Sequence, residues 1–297
     1  MALEPQIYIK GKPNQLFSKG LLAKKLELFG LPLSEGYEFS IHVYNELVKT
    51  GKEEFQKEEL DDIVNHLLNE KYDQKLAERY LHVEKWRESN IPLWLLISGA
   101  IGVGKSTLSR KIAGDLGIQH VVDSGVVRDI LRKILSAEVM PELHSSSYTA
   151  YQTLRPIYSS RFEEVILGFE NHSKFVNIGV DAVLSRADTE TVSIVVEGEH
   201  LLPAFFDETV LKKPNVLYLT IAVPDPSLHM DNLSAQYTKE KEELLSHFED
   251  IRKIHEHLVN ETKIRKLPLI LSERGKKPIG EVRKLVVDKI VSLVSSE

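Results

Sequence analysis

Gly99-Ala100-Ile101-Gly102-Val103-Gly104-Lys105-Ser106 spells a complete G-x-x-x-x-G-K-S phosphate-binding loop. The residue types are those the chemistry requires. Glycines let backbone N–H groups crowd around phosphate oxygens, and the N-terminus of a following helix adds partial positive charge. Lys105 reaches terminal phosphates as a point charge, and the Ser106 hydroxyl is a ligand for Mg²⁺. The flanks supply the frame such a loop needs. Leu93-Trp94-Leu95-Leu96-Ile97 is a short, continuous apolar run of the kind that forms a buried parallel strand. Residues 107–115 then read as a helix closing at Gly117. A glycine-rich turn that matched by chance would lack both. The expectation is an ATP–Mg²⁺ site contacted by Gly99, Ala100, Ile101, Gly102, Val103, Gly104, Lys105, Ser106 and Thr107.

Composition narrows the class. The 297 residues suggest about two domains, and 42% hydrophobic content is enough for real cores. A formal charge of −6 with interspersed signs gives no basic footprint for nucleic acid. The absence of cysteine excludes disulfides, cysteine-ligated metals and thiol catalysis. Met1-Ala2-Leu3-Glu4-Pro5-Gln6 has no basic region leading into an apolar one, and no apolar run approaches the ~20 residues of a membrane helix. A soluble cytoplasmic protein is expected, with no nucleic-acid or membrane partner.

The chain before the loop reads as a separate small domain. Ile7-Tyr8-Ile9-Lys10-Gly11 predicts a short strand entering a turn. Apolar residues then recur at helical spacing: Leu21, Leu22, Leu26 and Phe29; Ile41, Tyr44, Leu47 and Val48; Leu60, Ile63, Val64, Leu67 and Leu68. Residues 84–90 form a polar bridge and Pro92 precedes the loop's strand, so domains are expected at 1–90 and 91–297. Beyond the loop, strand and helix alternate. Residues 118–122 form a second strand ending at Asp123, and Ser124 caps a helix carrying Val126, Val127, Ile130, Leu131 and Ile134. Residues 146–186 are expected mainly helical, reopening at Pro156. Strands follow at 192–196, 216–223 and 267–271, with helices at 239–262 and 279–294. Such alternation predicts an α/β fold of the P-loop NTPase type, a doubly wound parallel sheet.

In open α/β sheets ligands sit beyond the carboxyl ends of the strands, so polar residues there are the candidates. Asp123 is placed either to cap the next helix or to take a substrate hydroxyl proton or hold a Mg²⁺-bound water. Glu197 ends a purely apolar strand, where a carboxylate must be paired or sit in a wet pocket. That is the place of an acid that orders Mg²⁺. Arg128 and Arg132 share a helix face. Arg128, nearer the active edge, suits an anionic acceptor; Arg132 reads better as a surface charge. His144-Ser145-Ser146-Ser147-Tyr148 is a hydroxyl-rich stretch that either lines an acceptor pocket or caps a helix starting at Tyr148.

Two resemblances add to this. Residues 5–88 resemble an ATP-cone, a small regulatory nucleotide-binding module, through Phe17-Ser18-Lys19-Gly20-Leu21-Leu22 and Ala77-Glu78-Arg79-Tyr80. That implies a second nucleotide contacted by Phe17, Ser18 and Lys19, with Lys24 or Lys25 nearby; the alternative is a helical packing domain without ligand. The whole chain resembles the archaeal 2-phosphoglycerate kinase family. The resemblance rests on Asp123-Ser124 with Arg128, the stretch 144–148, Gly168-Phe169, Glu197-Gly198-Glu199-His200-Leu201-Leu202-Pro203, and Phe248-Glu249-Asp250-Ile251-Arg252-Lys253-Ile254. It implies ATP-dependent phosphorylation of a small anionic acceptor, 2-phosphoglycerate, to 2,3-bisphosphoglycerate, with Lys105, Asp123, Arg128 and Glu197 as the catalytic set and Ser106 and Glu197 on the metal. One stretch departs from the family pattern. Where a segment of the form His-Arg-x-Arg-Phe-x-x-Arg is expected, the chain has His229-Met230-Asp231-Asn232-Leu233-Ser234-Ala235-Gln236. Arginines there would neutralise transition-state charge; Lys239, Lys241 and Arg252 are the nearest replacements. The departure keeps two alternatives open: a nucleotide-responsive regulatory protein with little transfer, or a kinase for another phosphorylated metabolite.

Overall fold

A computed structural model describes residues 5–11, 13–154, 161–237 and 240–296; Pro156 and Lys239 lie outside them. The chain falls into two compact units, Met1–Asn90 with Val282–Glu297, and Ile91–Glu281. The end of the chain is thus grouped with the first unit, whereas the sequence reading kept it with the P-loop.

The first unit holds β1 (Tyr8–Ile9), β2 (Gln15–Leu16), α1 (Lys19–Leu26), α2 (Leu33–Lys49), β3 (Glu54–Phe55), α3 (Lys57–Lys71) and α4 (Gln74–Glu88). β1 lies between β2, antiparallel to it, and β3, parallel to it. Strands of two residues carry no alternation to read, which is why β2 and β3 were not expected. Local chemistry sets the helix starts. Ser18 accepts from the Leu21 N–H, Gln56 and Glu59 form a reciprocal capping box, and Asp73 accepts from Leu76. The apolar faces converge on Ile7, Leu26, Phe39, Val43, Leu47, Phe55, Val64, Leu68 and Tyr80.

A charge is buried beside that core. Glu84, 2% exposed, lies 2.8 Å from the Lys25 ammonium, 3.4 Å from Lys57 and 3.5 Å from Arg87. Burial alone would raise its pKa, but Lys25, Arg87 and Lys57 together hold the carboxyl below its ordinary range. Close by, the Tyr80 hydroxyl donates to Asp61 at 2.8 Å.

The second unit holds β4 (Trp94–Ser98), α5 (Lys105–Leu116), β5 (His120–Asp123), α6 (Ser124–Ile134), α7 (Arg161–Thr189), β6 (Ile194–Gly198), α8 (Glu208–Leu211), β7 (Val216–Ala222), α9 (Pro226–Gln236), α10 (Lys241–Ser246), α11 (Phe248–Ile264) and β8 (Leu269–Leu271); α12 (Ile279–Val294) follows. Five strands run parallel in the order β5-β6-β4-β7-β8, the expected doubly wound sheet. Every residue of β4 and β6 is buried, so their apolar runs reflect cover on both faces. Register pairs Asp123 with Glu197, and Ser98 with both Gly198 and Thr220.

Two helices differ from expectation. No long helix starts at Tyr148; single 3₁₀ turns at Pro141–His144 and Ala150–Thr153 precede α7. Gly168 explains the close approach, because a Cβ there would lie 2.3 Å from the Tyr151 nitrogen. The helix expected over 239–262 is broken at His247 into α10 and α11. Among the described residues no helix is long and apolar enough to cross a membrane.

The Glu84 cluster gives a signed prediction. A depressed folded-state pKa contributes stability that is present above the unfolded carboxylate pKa and is lost as pH falls through the folded one. Glu84→Gln should therefore cost about 2 kcal/mol at neutral pH, below the ~3–5 of a fully buried broken pair because its lysines are partly exposed. Urea unfolding followed at Trp86 should show the deficit shrinking as pH is lowered beneath the carboxylate range.

Candidate active site

The phosphate-binding loop leaves the middle of the sheet at Ser98 and enters α5 at Lys105, as the sequence requires. Its tightest point is Gly102, with φ +81°; a Cβ there would lie 2.5 Å from Leu233 Cδ2. The loop is therefore packed against α9. His229 of that helix donates Nε2–H to the Ile101 carbonyl at 2.7 Å, since a carbonyl can only accept. Its Nδ1 then accepts from Arg252 at 3.3 Å. Arg252 also donates to the Val223 carbonyl at 2.8 Å and to Pro224 at 3.3 Å. Arg252 thus braces the loop through His229, and its hydrogen bonds go to β7's end. Burial holds His229 neutral, down to about 4.

The expected acids and cations gather on one edge. Glu197 is 3% exposed at the end of β6, within the influence of the Ser106 hydroxyl and the Lys105 ammonium. Burial pushes its carboxyl above the ordinary range and Asp123 adds to this, while Lys105 and Ser106 pull the other way. Lys105 is itself buried and donates to the Ala100 carbonyl at 2.9 Å. Asp123, exposed at the end of β5, accepts from the Gly125 N–H at 2.7 Å. It caps α6, one of its two expected roles, and is the register partner of Glu197. Arg128, one turn into α6, lies 3.1 Å from the Asp129 carboxylate, which also meets Arg132 at 3.5 Å. Gly99 and Ala100 are buried; Thr107 is exposed.

The hydroxyl-rich stretch is split. His144 donates Nε2–H to the Leu135 carbonyl at 2.8 Å, Tyr148 donates to Glu243 at 3.0 Å, and the buried Ser147 hydroxyl has no hydrogen-bond partner. Several residues carried no sequence signal. Tyr237, at the end of α9, is pushed up to about 12 by burial and by the charges of Glu199, Asp123 and Glu197, so its hydroxyl stays protonated. A cavity of about 590 Å³ opens beside the loop, lined among others by Thr107, Asn232, Gln236, Ser272, Lys277 and Pro278. The segment with no arginine therefore lines this cavity through Asn232 and Gln236, and is seated on the loop through His229 and Leu233.

The donor set suits a triphosphate with a divalent ion. Glu197 is a buried carboxylate with a raised pKa, against a serine hydroxyl, and a cation would relieve its charge. Among the described residues no group of three or more His, Asp or Glu could hold a metal ion. In the first unit, Phe17 stacks on Tyr44 at 6.2 Å and the Lys19 ammonium lies 4.1 Å above the same ring. Lys24 is exposed; Lys25 is drawn to Glu84.

No family model matches the chain. Curated relatives do. A 2-phosphoglycerate kinase of Methanopyrus kandleri is 35% identical over 98% of this chain and 88% of its own length. One from Methanothermobacter thermautotrophicus is 36% identical over 87% of the chain and 86% of its own, and one from Pyrococcus furiosus 30% identical over 97% and 94%. A shikimate kinase from Acinetobacter baumannii aligns with 71% of the chain and 98% of itself, at 15% identity and a TM-score of 0.41.

Glu197 has the opposite sign to Glu84. A carboxyl whose folded pKa is raised lowers stability once pH passes the unfolded value, and the cost disappears when both states are protonated. Without nucleotide, Glu197→Gln should raise Tm at neutral pH, and the gain should vanish as pH falls through the ordinary carboxylate range. A loss of Tm at neutral pH would mean that Glu197 is already compensated.

Proposed function

The chain belongs to the 2-phosphoglycerate kinase family, and on that premise we propose that it transfers the γ-phosphate of ATP to the free hydroxyl of 2-phosphoglycerate, giving ADP and 2,3-bisphosphoglycerate. The observation that carries the reading is the row of groups at the strand ends. Ser106 and Lys105 both act on the buried Glu197 carboxylate, Asp123 stands on the neighbouring strand and Arg128 follows one turn later. Ser106 and Glu197 would hold Mg²⁺, which supplies charge neutralisation at the β- and γ-phosphates when bound. The cavity beside the loop takes the nucleoside, with the amides of Asn232 and Gln236 and the Ser272 hydroxyl as its hydrogen-bonding groups.

In the transfer, the acceptor hydroxyl oxygen forms the new bond to the γ-phosphorus. The bond to the bridging oxygen breaks with its electron pair leaving on ADP, and the hydroxyl proton passes to the Asp123 carboxylate. Lys105 leaves the Ala100 carbonyl for the phosphates, and Arg128 anchors the phosphate already on the acceptor. The first unit is the place for a second, regulatory nucleotide, with Phe17, Tyr44 and Lys19 as its contacts; Lys25 is committed to Glu84.

ADP release should depend on the acceptor when a panel of phosphorylated hydroxy acids is supplied, with 2-phosphoglycerate fastest. Release equal in the no-acceptor control would favour a regulatory ATPase; a different preferred acid would reassign the substrate. Lys105→Ala should lower kcat/KM for ATP about 10²–10³-fold with the fold intact. Arg128→Ala should raise KM for the acceptor roughly 10- to 100-fold, the loss of one charged hydrogen bond, and leave KM for ATP near the parent's.

A further inference from the structure

Behind the two acids lies a buried row of hydrogen bonds that the transfer itself does not use. Ser124 Oγ is 2.7 Å from His200 Nδ1, His200 Nε2 is 3.1 Å from His172 Nε2, and His172 Nδ1 is 2.9 Å from the Glu142 carbonyl. The three side chains are 0%, 2% and 0% exposed. The two rings lie 5.0 Å apart and 9° from parallel. Asn177, one turn along α7 from Ser173, donates to the His200 carbonyl and fixes the near ring's backbone.

The far end dictates every proton. A backbone carbonyl only accepts, so His172 carries its hydrogen on Nδ1 and, when neutral, presents a bare Nε2. His200 must then donate from Nε2, which leaves its Nδ1 bare. The Ser124 hydroxyl therefore donates into His200. Burial, joined by the positive charges of Arg128 and Lys105, pushes His200 down to about 3; burial and His200 do the same to His172. Both rings are therefore neutral near neutral pH.

The held hydroxyl locates the strand ends. Gly198 has φ +152°, and a Cβ on it would lie 1.7 Å from Ser124 Oγ, so the two backbones meet at this point without room for a side chain. Asp123 and Glu197 are the residues immediately before Ser124 and Gly198, and they are register partners. We propose that His172 and His200 are positioning residues: a neutral pair that, through the Ser124 hydroxyl packed on Gly198, sets Asp123 and Glu197 relative to each other. The proposal rests on the kinase reading for its effect on rate and not for its hydrogen-bond pattern.

Two measurements on the full chain keep these apart. In protein labelled with ¹⁵N-histidine, His200 should appear as the neutral Nε2–H tautomer and His172 as the neutral Nδ1–H tautomer. The ¹³C carboxyl resonances of Asp123 and Glu197 should both shift in Ser124→Ala and in His172→Leu, and should return towards the parent in His172→Gln, whose amide oxygen can accept from His200. Turnover should follow the same order. Ser124→Ala and His172→Leu should lose about 10- to 100-fold in kcat, the effect of a roughly 1 Å misplacement, with KM for ATP unchanged, and His172→Gln should recover most of it. Charged rings, the opposite tautomers, or carboxyl resonances that ignore the variants would overturn the proposal whatever the activity. If the parent shows no turnover, the kinase reading fails while the tautomers and carboxyl shifts still decide this one.

Discussion

The parallel register of β5, β6 and β4 is the constraint on which the rest of the second unit depends. It brings Asp123, Glu197 and the start of the phosphate-binding loop to a single edge, because Asp123 pairs with Glu197 and Ser98 with Gly198. A one-residue slip would turn each side chain to the other face of the sheet. The full burial of β4 and β6 opposes such a slip, since their apolar residues pack on both sides. Polar locks then act at the edge itself. Ser124 closes on Gly198, and His229 holds the Ile101 carbonyl with its own orientation set by Arg252. The site is thus an outcome of strand alignment first and of side-chain hydrogen bonds second.

Two buried carboxylates show how the molecule divides stability from reactivity. Glu84 is surrounded by permanent cations of the fold, so its charge is satisfied at all times and knits α1, α3 and α4 together. Glu197 feels the Ser106 hydroxyl, the Arg110 guanidinium and a lysine whose ammonium is turned to a backbone carbonyl, and burial with Asp123 outweighs them. The first arrangement needs nothing more. The second leaves a site whose electrostatics improve when a cation arrives, which is what a nucleotide with its divalent ion would bring.

Much of this was legible in the sequence where the signal was periodic or local. The G-x-x-x-x-G-K-S run and the apolar strands each report on a few neighbouring residues, and the parallel sheet follows from the alternation of strands with helices. The residues that were not legible depend on partners far along the chain. His172 gains its meaning from Glu142, 30 residues away, and from His200, 28 away. Arg252 is a cation in a polar helix until the fold brings it to Val223 and His229, which turns a candidate phosphate clamp into a brace. Ser272, Lys277 and Pro278 lie in a loop after β8 and become cavity walls only because α9 sits opposite. Lys25 looked available to a ligand, and a buried acid 59 residues on claims it.

The segment without arginine places the amides of Asn232 and Gln236, rather than cations, in the lining of the cavity beside the loop. On the proposed reading, Lys105, Arg128 and the divalent ion would carry the transition-state charge. ³¹P NMR of the full chain with Mg²⁺, ATP and 2-phosphoglycerate tests this account most directly. It predicts that the γ-phosphate signal of ATP is replaced by a second phosphate-ester signal of 2,3-bisphosphoglycerate, in step with ADP. Inorganic phosphate appearing with ADP, or an ATP spectrum that does not change, would contradict it.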